Sequence, residues 1–123
     1  MKGFFDGIGQ WAATFGCQDV RAGQVVKFVQ DGQVAGCEDG EPFCGCVISV
    51  GRDGSACSVA LGGIVSAPFS GSAPAVGWNR LAADGKGGVR IAGDAANGSG
   101  GSGGCYCRVI DADPVQESVT FVL

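Results

Sequence analysis

Hydrophobic and polar positions follow two different periods along this chain, one near its start and another over the remainder. Near the start, large apolar residues recur every three or four positions: Phe4, Ile8, Trp11 and Phe15. This spacing places side chains on one face of an α-helix, although the glycines at positions 3, 7 and 9 weaken an isolated helix. We therefore expect residues 1–18 to form an N-terminal arm or short amphipathic helix. It would dock either on the chain's own β-domain or on a neighbouring subunit.

From residue 19 onward the pattern is that of β-strands. Short β-branched runs are separated by turn dipeptides such as Asp31-Gly32, Asp53-Gly54 and Asp84-Gly85, which tolerate the positive φ angles of tight hairpins. Strands are predicted at residues 24–30, 33–37, 43–50, 56–61, 62–67, 76–81, 89–92, 105–110 and 118–123. Eight or nine short antiparallel strands are typical of a small single-domain β-barrel or β-sandwich. We expect this all-β domain to span residues 19–123, with a flexible Gly/Ser hairpin tip at 98–104.

Alternation within one predicted hairpin indicates which side chains face the core. Successive residues of a strand point to opposite faces, so every second residue shares a face. The positions expected to meet in the core are Cys44, Cys46, Ile48 and Val50 on the first strand, and Cys57, Val59 and Leu61 on its partner.

Charge and composition narrow the possible partners. The chain has 123 residues, enough for one domain with a real core. Its net charge is −4, and the eight Lys and Arg residues are scattered, which disfavours a nucleic-acid partner. The start does not resemble a secretory signal, and no apolar run approaches the length of a membrane span. We expect a protein made in a cytoplasm, with no membrane partner.

The residue types also bear on catalysis. The chain has no histidine, which excludes cysteine–histidine and serine–histidine nucleophiles. Carboxylates cluster in predicted turns, where solvated side chains are common: Glu38, Asp39 and Glu41, and again Asp111 and Asp113. The glycine-rich stretches match neither a phosphate-binding loop nor a dinucleotide fingerprint. We expect no enzymatic activity; a hydrolase built on these carboxylates is the weakest alternative.

Seven cysteines raise the question of a metal site. Two Cys-x-Cys pairs, Cys44-Gly45-Cys46 and Cys105-Tyr106-Cys107, could supply four thiolates. Structural zinc sites usually separate paired cysteines by two to four residues, whereas one intervening residue on a strand places both sulfurs on one face. An odd number of cysteines without an export signal favours free thiols. We therefore expect buried, reduced cysteines, with no metal and no cofactor.

From Asp19 to Leu123 the order of elements resembles the small head-decoration, or capsid-cement, proteins of tailed bacteriophages. The similarity is carried by VRAGQVVKF at 20–28, DGQVAGCEDGEPFCGCVISV at 31–50, VALGGIVSAPFSG at 59–71, APAVGWNRLAADGKGGVRIA at 73–92 and CRVIDADPVQESVTFVL at 107–123. The resemblance implies a compact, commonly trimeric β-barrel or β-sandwich without enzymatic activity. Such a protein sits on the outer capsid surface of the virion and braces neighbouring subunits of the major capsid protein.

If the chain acts by adhesion, large apolar side chains are the candidate contact residues, because they often dominate the energy of an interface. We expect these contacts to come from Phe4, Ile8, Trp11 and Phe15 of the arm, and from Phe69 and Trp78 near the Pro68 loop. Trp78 and Tyr106 could equally cap the core.

An alternative from another class is a carrier or binding module of the biotinyl or lipoyl type. Such barrel-sandwich domains present a modifiable lysine at a hairpin tip. Lys86, within Asp84-Gly85-Lys86-Gly87, is the lysine in a comparable predicted turn.

Overall fold

The computed structural model describes residues 8–92 and 105–123. These residues form ten β-strands and no helix, which confirms the all-β prediction. The strands are β1 (Trp11–Cys17), β2 (Val25–Gln30), β3 (Gln33–Gly36), β4 (Gly45–Val50), β5 (Ala56–Gly62), β6 (Ile64–Pro68), β7 (Gly77–Ala83), β8 (Val89–Ile91), β9 (Cys105–Asp113) and β10 (Ser118–Val122). The predicted Gly/Ser hairpin tip at 98–104 lies outside the described residues.

The first five strands close into a barrel in the order β1-β3-β2-β4-β5. Tight hairpins join β2 to β3 and β4 to β5, and their turn glycines Gly32 and Gly54 have φ angles of 69° and 76°. Only the β1–β3 pair is parallel among the described strand pairs; it is short, with Gly16 opposite Gln33 and Cys17 opposite Val34. The named strands within residues 19–123 that the structure describes pair antiparallel, as predicted, and the parallel pair involves β1, which the sequence pattern did not predict as a strand.

The remaining strands form a second, antiparallel sheet in the order β6-β10-β9-β7-β8. Its two edges are linked where the chain leaves β6. Phe69 forms a parallel bridge with Val89 of β8, and the Ser70 N–H donates to the Val89 carbonyl at 2.9 Å. The residues after β6 therefore cover the edge of β8.

The N-terminal segment departs from the sequence prediction. Residues 11–17 are a barrel strand, not part of an arm or a helix. β1 pairs with β5 over six register positions, from Trp11 opposite Gly62 to Gly16 opposite Ala56. This long-range pairing overrides a helical spacing that glycine already weakens. Residues 1–7 of the predicted arm, including Phe4, lie outside the described residues.

Two hydrophobic clusters fill the molecule. The barrel interior takes small side chains, with at least one from each of the five strands: Cys17, Val26, Val34, Val47, Cys57 and Val59. The layer between the barrel and the second sheet is larger and contains the large side chains: Val25, Cys37, Phe43, Cys46, Ala60, Val65, Ala67, Phe69, Leu81, Ala83, Val89, Cys107, Val109, Val119 and Phe121. We call the first the barrel core and the second the interlayer core.

A β-bulge at Ile48 overturns part of the predicted core face. The register between β4 and β5 shifts between Val47 and Ser49. Val47 therefore lies opposite Val59 in the barrel core, whereas Cys46 packs in the interlayer core. Ile48 is exposed. Because a bulge adds one residue to a strand, it ends the simple alternation on which the prediction depended.

Candidate interaction surfaces

The outer face of the second sheet carries two cross-strand pairs of an aromatic residue and an arginine. In the register of β7 on β9, Trp78 lies opposite Arg108 and Arg80 lies opposite Tyr106. Cys107, between Tyr106 and Arg108, and Leu81, next after Arg80, are buried in the interlayer core. Since successive strand residues alternate between faces, both aromatic–arginine pairs point away from the barrel. Trp78 is 71% exposed and Tyr106 is 67% exposed.

Both pairs have cation–π geometry. The guanidinium carbon of Arg108 lies 5.6 Å from the centre of the Trp78 ring, and that of Arg80 lies 4.8 Å from the centre of the Tyr106 ring. Arg80 Nη2 also donates to Tyr106 Oη at 3.2 Å. These contacts hold long side chains in place on an exposed face, which lowers the conformational entropy lost when a partner covers them.

Apolar and acidic positions extend this face in two directions. Val122 lies opposite Arg108, and Ile64 lies opposite Val122; both are half-buried. Farther along β9, Asp111 lies opposite Thr120 and Asp113 lies opposite Ser118. We call this surface the ladder face and define it by its outward residues: Ile64, Trp78, Arg80, Tyr106, Arg108, Asp111, Asp113 and Val122.

A second candidate surface is the edge of β1. Residues 11–14 are all exposed, and Trp11 is 61% exposed. β3 engages only Gly16 and Cys17, so on that side no described strand pairs with residues 11–14. Trp11 packs over Gly62, where a Cβ atom would overlap the indole ring. We call residues 11–14 the β1 edge.

Residues next to the β1 edge add apolar surface. Ile8 is 55% exposed; its carbonyl accepts the Ile64 N–H at 3.0 Å. Phe15 packs edge-to-face on the exposed Phe28, with ring centres 5.5 Å apart. The barrel thus has an uncharged, partly aromatic margin at β1.

The structure separates the contact residues predicted from the sequence. Ile8 and Trp11 are exposed at the barrel, Phe15 is half-buried there, and Trp78 is exposed on the second sheet. Phe69 is 6% exposed and belongs to the interlayer core. Its side chain packs inward and is not available as a contact, while its N–H donates to the Glu117 carbonyl at 2.9 Å.

Sequence reasoning did not single out the two arginines of the ladder face. Nothing in the sequence marked Arg80 and Arg108 as members of one site, since 27 other residues separate them and the register of β7 on β9 places them together. The only available signal was their alternation with an aromatic residue, as in Trp78-Asn79-Arg80 and Tyr106-Cys107-Arg108.

The cysteines are free thiols in low-polarity surroundings. All seven are free, and five of them are buried. Burial raises the pKa of Cys37 and of Cys57 to about 11 and that of Cys107 to about 12. Burial also raises the pKa of Cys44. A high thiol pKa lowers the fraction of reactive thiolate, and no three metal-binding side chains converge within residues 8–92 and 105–123.

The predicted carboxylate cluster has structural partners. Glu41 accepts hydrogen bonds from Lys27 Nζ at 2.7 Å and from the Glu38 N–H at 2.7 Å, and the Lys27 bond is the main cause of its lowered pKa. Asp39 bonds Arg90 Nε at 2.7 Å. These acidic side chains fix a loop against the two layers and are not grouped in a cleft.

Lys86 occupies the turn between β7 and β8, as the sequence predicts. Asp84 Oδ1 accepts the N–H groups of Lys86 and Gly88, at 2.7 and 3.0 Å. Arg21 Nη2 donates to the Lys86 carbonyl at 3.1 Å. The turn is therefore braced by Asp84 and by the barrel, with the backbone of Lys86 held in place.

Comparisons with protein families and with curated sequences found no match. No protein-family model matches the chain, and no curated protein sequence is significantly similar to it. Within the described residues, no helix has the length and apolar character needed to cross a bilayer.

Proposed function

We propose that this protein is a structural component of a tailed-phage virion, which binds the outside of the capsid and bridges neighbouring major-capsid subunits. The observation that supports this role best is the exposed, uncharged β1 edge beside Trp11 and Ile8. It offers both backbone hydrogen-bonding groups and apolar anchors. The resemblance to capsid-cement proteins supplies the partner.

The β1 edge fits attachment by strand addition. An exposed strand edge presents N–H and C=O groups that an extended segment of another chain can pair with. Many proteins protect such edges with lysine or proline, but the β1 sequence WAATFGC contains neither. Trp11 would supply a large anchor at one end of the added strand. In this proposal an extended segment of the major capsid protein is the added strand.

Repetition on a lattice makes modest contacts sufficient. When one assembly touches several capsid subunits, each further contact forms at a high effective concentration. A non-enzymatic role is also consistent with the residues: burial raises the pKa of four thiols, and the acidic loop at 38–41 is used in ion pairing and backbone hydrogen bonds.

The test is binding to expanded capsids that lack this protein. We expect the purified protein to co-sediment with them and to raise the temperature at which they disrupt. Thr14→Lys adds a charge to the β1 edge and should weaken binding about tenfold. Val115→Lys is the matched control, because Val115 is exposed in the turn between β9 and β10.

Two results would count against this account in different ways. Capsids that do not bind the protein at all would reject the capsid role. Equal binding by the wild type and by Thr14→Lys would retain that role but reject the β1 edge as the contact. Deletion of the N-terminal segment is a poorer test, because it removes a strand of the closed barrel.

A carrier function is the second candidate, and the position of Lys86 favours it. The lysine lies in a braced hairpin turn, where carrier domains of the biotinyl or lipoyl type present theirs. Intact-mass measurement after incubation with a biotin or lipoate ligase, ATP and the acid tests it. An added cofactor mass that Lys86→Arg abolishes would support the carrier; an unchanged mass would reject it.

A further inference from the structure

We propose that the ladder face binds a second copy of this chain, with the two faces packed about a two-fold axis. This inference concerns the second sheet and does not depend on the capsid role proposed for the barrel. It rests on the order of charges along β9. The outward residues run Tyr106, Arg108, Asp111 and Asp113, from a cationic end to an acidic end.

The β-bulge between these ends keeps both on the same face. The register between β9 and β10 shifts so that Val109 lies opposite Phe121 and Asp111 lies opposite Thr120. Ala112 packs against the interlayer core, so its neighbours Asp111 and Asp113 point outward with Arg108. Without the extra residue, positions 111 and 113 would fall on the face of Val109.

A two-fold axis makes such a face complementary to itself. In an isologous interface, residue i of one copy contacts residue j of the other, and j contacts i. An axis between Arg108 and Asp111 places each arginine against the aspartate of the other copy. Arg108 and Asp111 flank the bulge and so lie nearest the two-fold axis. Close to the axis, a small change in the angle between the two copies moves a contact least.

The residue types on the face are those that concentrate binding energy in protein interfaces. Tryptophan, tyrosine and arginine are enriched among interface residues with large effects, and the ladder face has them in two neighbouring cross-strand pairs. Their cation–π contacts exist before association. Ile64 and Val122 provide lower, half-buried apolar surface beside them.

The small size of the ladder face is consistent with a weak dimer. The ladder face spans four strands, and about five residues along each give a footprint of roughly 300 Å² per copy. Two such footprints lie below the range of stable specific interfaces and fit only a weak, transient contact. We therefore expect a reversible dimer with a dissociation constant on the order of 10 μM, rather than a permanent one.

Charge reversal with rescue tests the proposal directly. Sedimentation velocity of the full-length protein from about 1 to 500 μM should show a monomer–dimer equilibrium. Arg108→Glu and Asp111→Arg should each weaken the dimer at least about tenfold, because each creates like charges across the axis. Arg52→Glu, a reversal in the barrel hairpin between β4 and β5, is the matched control and should dimerise like the wild type.

Mixing the two variants separates a lost contact from a damaged fold. An equimolar mixture of Arg108→Glu and Asp111→Arg pairs opposite charges at both contacts, so a heterodimer should form where neither variant associates alone. The double variant Arg108→Glu/Asp111→Arg should likewise dimerise with itself. Recovery in both cases is the expected result.

Other outcomes would overturn the proposal. If the wild type stays monomeric throughout the concentration range, the dimer is rejected. If Arg108→Glu then also loses binding to capsids, the ladder face contacts the capsid instead. A trimer, or a dimer unaffected by Arg108→Glu, would place self-association elsewhere. Failure of the mixture to associate, with both variants folded by circular dichroism, would reject the Arg108–Asp111 contact.

Discussion

The barrel core and the interlayer core differ in the size of the side chains that fill them. The barrel core contains only valine and cysteine among its buried members. The interlayer core contains Phe43, Phe69, Leu81 and Phe121. A closed five-stranded barrel has a narrow interior, whereas two sheets packed face to face leave about 10 Å for side chains to interdigitate.

The large side chains of the interlayer core join the barrel to the second sheet. Phe121 is fully buried and packs edge-to-face on Phe43, with ring centres 5.9 Å apart. Phe121 belongs to the second sheet, and Phe43 precedes the barrel strand β4. Most of the large buried side chains therefore lie between the layers. We infer that the two sheets form one body, which carries the β1 edge on one layer and the ladder face on the other.

The largest expected effect is on the rate of thiol labelling, which compares Cys57 of the barrel core with Cys107 of the interlayer core. At pH 8 the pKa of about 11 for Cys57 should slow its alkylation about 100-fold relative to an ordinary thiol. The pKa of about 12 for Cys107 should slow it about 1,000-fold. Burial in the barrel core and in the interlayer core adds further protection. Mass spectrometry of labelled peptides measures both rates; rapid labelling of Cys57 alone would show that the barrel opens independently.

Truncation of the largest buried side chain should destabilise the protein more than any other single core change described here. Phe121→Ala should lower the free energy of unfolding by about 3–5 kcal/mol, because it leaves a cavity between the layers. Val59→Ala, the matched truncation in the barrel core, should cost about 2 kcal/mol. Urea denaturation measures both. A larger loss for Val59→Ala would contradict the dominant role of the interlayer core.

Enlarging a buried side chain should cost more stability in the barrel core than in the interlayer core, the reverse of the ranking for truncation. Val47→Leu enlarges a fully buried side chain in the barrel core and should cost about 1–3 kcal/mol, since a closed barrel cannot widen without breaking hydrogen bonds. Val119→Leu makes the same change in the interlayer core, where the sheets can shift slightly, and should cost less. Equal unfolding midpoints in urea for the two variants would contradict this distinction.

Local pattern predicted most strands because β-branched runs and turn dipeptides mark them within a few residues. The β2–β3 hairpin follows from two β-branched runs around Asp31-Gly32, where Gly32 has a φ of 69°. β1 was missed because its large apolar residues have helical spacing, and only pairing with β5, 40 to 51 residues away, makes it a strand. The bulge at Ile48 also left no local signal, so the division of Cys46 and Val47 between the two cores could not be predicted.

The candidate surfaces could be predicted only in part. Trp11 and Trp78 stood out as large aromatic residues, and both are exposed. Phe69 stood out equally but is buried, since its burial depends on the bridge to Val89. The ladder face requires the register between β7 and β9, which the intervening chain does not encode in any local pattern.

A surface ion pair beside the contact between the layers should have the smallest effect. Lys27 of β2 bonds the Glu41 carboxylate, and the Glu41 carbonyl accepts the Ala83 N–H of β7 at 3.0 Å. The Lys27 bond lowers the pKa of Glu41 below its ordinary value of 4.5, so the carboxylate stabilises the folded protein above that pH. This contribution is lost as the pH falls through the lowered pKa.

Glu41→Gln should therefore lower stability slightly at pH 7 and flatten its dependence on pH below 4.5. Thermal unfolding at pH 3, 4, 5 and 7 measures this. Arg52→Gln, in a barrel hairpin, is a charge-removal control and should leave the acid dependence unchanged. An identical acid profile for Glu41→Gln and the wild type would remove this contact from the account.

The most direct test of one body with a shared core uses the two tryptophans of the chain, Trp11 in the barrel and Trp78 in the second sheet. Trp78→Phe leaves Trp11 as the fluorescence probe of the barrel, and Trp11→Phe leaves Trp78 as the probe of the second sheet. In each variant, urea unfolding followed by tryptophan fluorescence and by circular dichroism should give one coincident transition. A fluorescence transition at Trp78 that precedes loss of the barrel would contradict the account.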